Sequence, residues 1–128
     1  MNLPTLFLRV VGAISVGFGA LYGFDPSPMM TGSGFGELAP SAVTEARAAY
    51  GGFQIGLGAF MLWASATPRR VGDGLLLSAL VFGAIALCRL LGLALDGSLN
   101  EFQGSALAFE SVFTGLSLWG WRRAPAAA

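Results

Sequence analysis

The sequence predicts an all-α integral membrane protein, a four-helix antiparallel bundle with both termini cytoplasmic, on three observations. Hydrophobic residues fill 55% of the 128 positions and charged residues only 11%, with a mean hydropathy of +0.70. A soluble domain carries roughly a quarter of its residues as charged ones. Apolar runs of about the length a helix needs to cross hydrocarbon recur along the chain, and the breaks between them hold Pro, Gly, Asp and paired Arg, the residues that end helices. The length leaves room for one domain, with the bilayer as its solvent.

The first helix is expected over about residues 5–24, with Pro4 suited to its first turn and Arg9 about a turn inside. Its rows of small residues, Ala13 with Gly17 and Ser15 with Gly19, suit close helix contact. Arg9 followed by an apolar run also resembles a secretory signal peptide, but the apolar pattern continues into further spans and favours a retained helix. Asp25-Pro26 and Pro28 stop this helix, since proline removes a donor and restrains the residue before it. The outer loop over 25–43 is rich in Gly, Ser and Pro yet contains Met29, Met30 and Phe35, which suit the membrane surface or a partial cap on the bundle.

The second helix is expected over about 44–66 and is the stretch around which the chain is organised. Ser41 or Thr44 can cap it, with Glu45 near the positive end of its dipole. Arg47, Tyr50 and Gln54 share one helical face, and Ala48, Gly52 and Gly56 form a small-residue row on the opposite one. Pro68-Arg69-Arg70 reads as a turn. The third helix is expected over about 72–95, broken by Asp96-Gly97-Ser98, and the fourth over about 101–121, closed by Arg122-Arg123 and a short Pro/Ala tail.

The arginines give the topology. The Arg69-Arg70 turn and the Arg122-Arg123 tail fall on the side of the N-terminus, while Asp25, Glu37, Glu45, Asp96 and Glu101 face the other side with Arg47. The positive-inside rule makes the arginine side cytoplasmic, and Trp63, Trp119 and Trp121 form an aromatic belt at that interface. Localisation in a bacterial inner membrane as a multi-pass protein follows.

Composition narrows the chemistry. Formal net charge is zero with no basic run, which argues against nucleic acid as a partner. The one cysteine, Cys88, forms no internal disulfide and reads as a small packing residue. The absence of histidine removes the usual general base, haem ligand and zinc ligand. A metal site from carboxylates alone has little support, Met29-Met30 read as interfacial anchors, and no cofactor is assigned.

Glu110 is the sharpest signal, lying about 12 Å into its span at 1.5 Å per residue. Near mid-bilayer an ionised carboxylate is expensive unless paired, and such residues favour function. Gln103, Thr114 and Ser117 lie on nearly the same face, so the last helix carries a polar stripe. Arg89 lies about 9 Å from the outer end of its helix, with Asp96 two turns away, and Gln54 sits at similar depth. The expected site is therefore an Arg89–Glu110 contact with Gln54 and Tyr50 alongside, and Arg47 with Asp96 or Glu45 nearer the mouth. A charge-balanced pair that only fixes helix register is the competing account.

Glu45-Ala-Arg47-Ala-Ala-Tyr50-Gly-Gly-Phe-Gln54-Ile-Gly-Leu-Gly58, then Arg89-Leu-Leu-Gly92 leading to Asp96-Gly97, then Glu110, with the Phe24-Asp25-Pro26 exit from the first helix, resembles a known pattern. It is that of small bacterial four-helix membrane proteins catalogued only as a domain of unknown function. The resemblance spans nearly the whole chain, implies the four-helix membrane fold, and marks the same Arg, Tyr, Gln and Glu positions; it brings no activity. The small multidrug-resistance exporters are similar in size and helix count, but carry their membrane glutamate in the first helix, where this chain offers only Arg9.

The function expected from these residues is non-catalytic: binding of an amphipathic small molecule or lipid, or service as an accessory subunit beside a membrane protein partner or in a homo-oligomer. One alternative is a compact membrane enzyme of isomerase or hydrolase type, with Glu110 as acid/base and Arg89 as electrostatic stabiliser. Another is a proton-coupled carrier working as an oligomer.

Overall fold

A computed structural model describes residues 2–97 and 99–124, which form helices and no strand. Ser98 of the expected third break and the Pro/Ala tail beyond Ala124 lie outside the described residues. The helices are α1 (Leu3–Phe24), α2 (Ser27–Gly32), α3 (Pro40–Ala46), a π-helical segment (Arg47–Gly52), α4 (Phe53–Ser65), α5 (Pro68–Asp96) and α6 (Glu101–Arg123). Two of them, α1 and α5, are long and apolar enough to cross a membrane.

Local chemistry explains most boundaries. Asn2 caps α1 by accepting from Thr5 N at 3.0 Å, with Pro4 in the first turn where its missing N–H costs nothing. Asn100 does the same for α6, accepting from Gln103 N at 2.8 Å. Helix α5 ends on Gly97 at φ 67°, a left-handed cap whose N–H returns to Leu93 O at 3.0 Å.

Three expectations from the sequence need correction. The outer loop contains the one-and-a-half-turn α2, started by Asp25 Oδ1 accepting from Ser27 N at 3.0 Å. The second helix begins at Pro40 rather than at a Ser41 or Thr44 cap, and Thr44 Oγ1 instead donates back to Pro40 O. Pro68-Arg69-Arg70 is the first turn of α5 and not a connector. In both long helices proline sets the start because its fixed φ is already helical and its missing N–H is one the first turn cannot use.

Packing divides into two seams. Helix α1 runs antiparallel to the π segment and α4 with glycines at the crossings. A Cβ placed on Gly58 would lie 2.5 Å from Gly12 O, one on Gly19 would lie 2.7 Å from Ile55 N, and one on Gly51 would lie 2.9 Å from Gly23 N. The row Ala48, Gly52, Gly56 proposed from sequence is instead exposed, with no atom near a Cβ on either glycine. The π segment is the reason. Its hydrogen bonds close one residue later than those of an α turn, so the face read by α spacing across it is rotated. On α1, likewise, Gly12, Ser15 and Gly19 are buried while Ala13 and Gly17 face outward.

The second seam joins α5 and α6, again antiparallel, through polar contacts. Ser78 Oγ and Ser117 Oγ share a buried hydrogen bond of 2.8 Å, Thr114 packs over Gly83, and Arg89 meets Glu110. The apolar core, Leu8, Val11, Leu57, Met61, Ala64, Val71, Leu75 and Phe82, joins the seams in the half of the molecule that holds the N-terminus. At that end Arg9 Nε donates to Ser65 Oγ at 3.3 Å, and Leu8 fills the space over Gly74.

The glycine seam is directly testable. Gly58→Ala should destabilise the protein by about 1–3 kcal/mol, the usual cost of overpacking, because the obstructing atoms are backbone. Gly56→Ala, facing open space, should be neutral or stabilising by up to about 1 kcal/mol. Thermal unfolding of both variants in one detergent makes the comparison.

Candidate functional site

Away from the packed core the helices line a half-open cavity of about 540 Å³, within the size range of small-molecule sites. Phe18 and Tyr22 reach it from α1, Met30 from α2, Tyr50 from the π segment and Gln54 from α4. The remaining wall is Phe82, Ile85 and Arg89 of α5 and the first turns of α6 from Phe102 to Glu110, with Ser33 and Phe35 of the outer loop closing over them. Phe82 belongs both to the core cluster and to this wall, so it marks where the packed half ends.

The charged feature of the wall is the Arg89–Glu110 pair. Arg89 Nη2 donates to Glu110 Oε1 at 2.7 Å and Nε donates to Oε2 at 3.0 Å, the two-pronged geometry in which a guanidinium best matches a carboxylate. The Glu110 side chain is 8% exposed and that of Arg89 24%. Thr114 Oγ1 donates to Glu110 O at 2.7 Å, one turn along the same stripe. The contact inferred from helix depth is therefore present, with Gln54 and Tyr50 on the same cavity.

The amides are the less obvious feature. Gln54 Oε1 and Gln103 Oε1 are both buried and both lack a hydrogen-bond partner. Buried side-chain oxygens are nearly always paired, and leaving one unmade costs on the order of 1–3 kcal/mol. Both oxygens belong to residues that line the cavity, Gln54 on α4 and Gln103 on α6. Aromatic rings flank them: Tyr22 stacks on Tyr50 with centroids 5.4 Å apart and planes 23° apart, and Phe109 stands edge-on to Phe82 at 6.0 Å.

Two residues expected at the mouth are elsewhere. Arg47 is exposed and its Nη2 donates to Phe24 O at 3.3 Å, tying the π segment to the C-terminal end of α1. Asp96 is exposed in the last turn of α5 and neither lines the cavity nor forms an ion pair with Arg47. The π turn accounts for Arg47: Tyr50 and Gln54 keep a common face, but the wider turn before Tyr50 swings Arg47 off it. Sequence reasoning placed Gln103 on the polar stripe without adding it to the site, and it missed Tyr22. The Phe18–Tyr22 spacing of four, which puts two rings on one face of the first helix, was the available signal.

Chain comparison bears on the same positions. The family model described as Domain of unknown function (DUF4345) matches residues 4–121. The chain belongs to this family. The DUF4345 match runs from the first turn of α1 to Trp121 in α6, so it takes in every element that lines the cavity. No curated protein and no solved structure matches the chain.

The ion pair has a measurable signature. Removing one partner strands the other, so Arg89→Met and Glu110→Leu should each destabilise by about 3–5 kcal/mol, whereas the double variant should recover most of that loss. Unfolding in detergent of the two single variants and the double variant measures the coupling.

Proposed function

We propose that this protein is a multi-pass inner-membrane protein, four antiparallel spanning helices with both termini cytoplasmic, that binds one small amphipathic molecule or lipid in its cavity without transforming it. The single observation that carries the binding reading is the pair of unpartnered amide oxygens on Gln54 of α4 and Gln103 of α6, two residues that line the same cavity.

Several features support the membrane part. The most apolar stretches of α1 and α5 are only 28% and 33% buried by the chain itself, whereas a core helix of a soluble protein that apolar hides most of its surface. Phe24, Leu80, Leu87, Leu91 and Leu95 are all more than half exposed. Helix α5, about 43 Å long at 1.5 Å per residue, exceeds a hydrocarbon core of about 30 Å, leaving its Arg69-Arg70 turn to sit among headgroups. At that end Arg70 lies 4.0 Å over the Trp63 ring and Arg123 4.6 Å over the Trp119 ring. Such arginine–tryptophan stacks suit an interface with one wet and one apolar side, and the arginine excess there supports a cytoplasmic assignment.

The pair geometry favours binding over catalysis. A general acid/base must exchange its proton with a substrate. Both oxygens of Glu110 instead accept from Arg89, so Arg89 stands as its counter-ion and not as a free electrostatic stabiliser. Phe18, Phe35 and Phe109 line the cavity and are also exposed outside, which supports an apolar mouth through which a tail reaches lipid.

Two measurements test these readings. Native mass spectrometry of protein extracted gently from its membrane should release one stoichiometric small molecule, lost or depleted in Glu110→Gln; a chain carrying only bulk lipid would overturn the binding reading. In a Cys88→Ala background, an impermeant maleimide should label Thr31→Cys on intact cells and Ala66→Cys only after permeabilisation. The reverse pattern would invert the topology.

A further inference from the structure

We infer that the cavity takes a neutral amphipath with a hydroxyl-bearing aromatic headgroup, a phenol-class ring, rather than an anionic or cationic headgroup. This rests on the binding reading above and specifies its ligand.

Charge balance comes first. The ionised side chains that line the cavity are Arg89 and Glu110, and they are spent on each other through both carboxylate oxygens. An anionic headgroup would have to take Arg89 from a carboxylate only 2.7 Å away and leave that carboxylate buried. A cationic one would meet the guanidinium with the same penalty reversed. Breaking such a pair is among the costliest changes a buried site can suffer, so a ligand without charge fits best.

The unsatisfied chemistry comes second. Gln54 and Gln103 line the cavity, and each has an amide oxygen with no donor and almost no accessible surface; a ligand reaches one when the terminal amide turns toward it, and that oxygen then asks for an N–H or O–H. A single hydroxyl matches the two glutamines together: its one proton goes to one amide oxygen, and its own oxygen accepts from the NH2 of the other glutamine when that terminal amide is turned. An ether, ester or ketone of the same shape offers no proton and leaves the amide oxygens unpaired.

The remaining wall selects the carrier of that hydroxyl. Phe18, Tyr22, Tyr50, Phe82, Phe102 and Phe109 surround the space from three helices and the π segment. Aromatic walls favour a ring, which stacks or meets edges at centroid distances of about 4.5–7 Å. An aliphatic alcohol would meet the amides but leave the ring faces without a matching surface.

The test uses purified protein in lipid nanodiscs, with bound probe counted as the excess over empty nanodiscs to remove partition into lipid. The probes are 4-octylphenol, its methyl ether and 4-octylbenzoate. The phenol should bind at least about tenfold tighter than the ether, the size of one buried hydrogen bond, and the benzoate should be the weakest. In Gln54→Leu and in Gln103→Leu the ratio of phenol to ether binding should fall toward unity, whatever affinity each probe then has. Cooperative thermal unfolding of each variant near the parent temperature checks folding, and Gln54→Met with Gln103→Met repeats the comparison with a more adaptable side chain. Equal binding of phenol and ether, or tightest binding of the benzoate, would overturn the ligand class and leave the cavity as a binding site. No excess binding of any probe by a protein that still releases another small molecule on extraction would do the same. No excess binding and no released molecule would overturn both readings.

Discussion

Glu110 sets the constraint that the rest of the molecule obeys. A carboxylate 8% exposed between apolar helices must be neutralised where it stands, because neither water nor a distant charge can offset its desolvation. Arg89 does this from the facing helix, and the two-pronged contact leaves little freedom in how α5 and α6 slide past one another. With that register fixed, Ser78 meets Ser117 and Thr114 meets Gly83 further along. A one-turn slip would strand the pair and unmake the serine bond together, so the α5–α6 seam is specified by polar geometry rather than by shape alone.

The α1–α4 seam is specified in the opposite way. Gly12, Gly19, Gly51 and Gly58 bring backbones so close that no side chain fits between them, and specificity comes from what cannot be added. The glycine seam brings backbone against backbone, whereas the α5–α6 seam meets through the side chains of Ser78, Arg89, Glu110, Thr114 and Ser117. Where large side chains of the two pairs meet, from Leu8 to Phe82, the interior is filled. Beyond Phe82 the lining turns to rings and amides that do not interdigitate, and the space left is the cavity. It lies between two unlike seams, at the end of the α5–α6 seam that holds Arg89 and Glu110.

Most of the site was legible in the sequence because polar residues are conspicuous against an apolar background. Depth along a helix follows from residue counting, so Arg89 and Glu110 could be matched before any coordinates, and Tyr50 and Gln54 shared a face at a spacing of four. The π segment was not legible: Arg-Ala-Ala-Tyr-Gly-Gly carries no signature for a wider turn, and α spacing through it misassigned both Arg47 and the row Ala48, Gly52, Gly56. Short α2 was hidden because Pro26 and Pro28 read as breakers, although Pro28 lies in the first turn, where proline also starts helices. Gln103 was visible as part of a stripe, but that its oxygen would be left without a donor depends on the whole enclosure and on no local pattern.

The π turn also explains how one short stretch serves both seams. Gly51 must lie against Gly23 and Gly19 of α1, while Tyr50 beside it must turn toward the cavity and stack on Tyr22 of that same helix. Consecutive helical residues point in different directions, so the two demands are compatible at positions 50 and 51. Carrying that face back through a regular α-helix would bring Arg47 toward the cavity as well. There it would add a second positive charge beside a single carboxylate that Arg89 already neutralises. The wider turn sends Arg47 outward to the Phe24 carbonyl, where it secures the end of α1 and leaves the cavity without net charge. What the cavity then presents is dipoles and ring faces, and the binding proposed for it draws its selectivity from whether the ligand brings a proton to share.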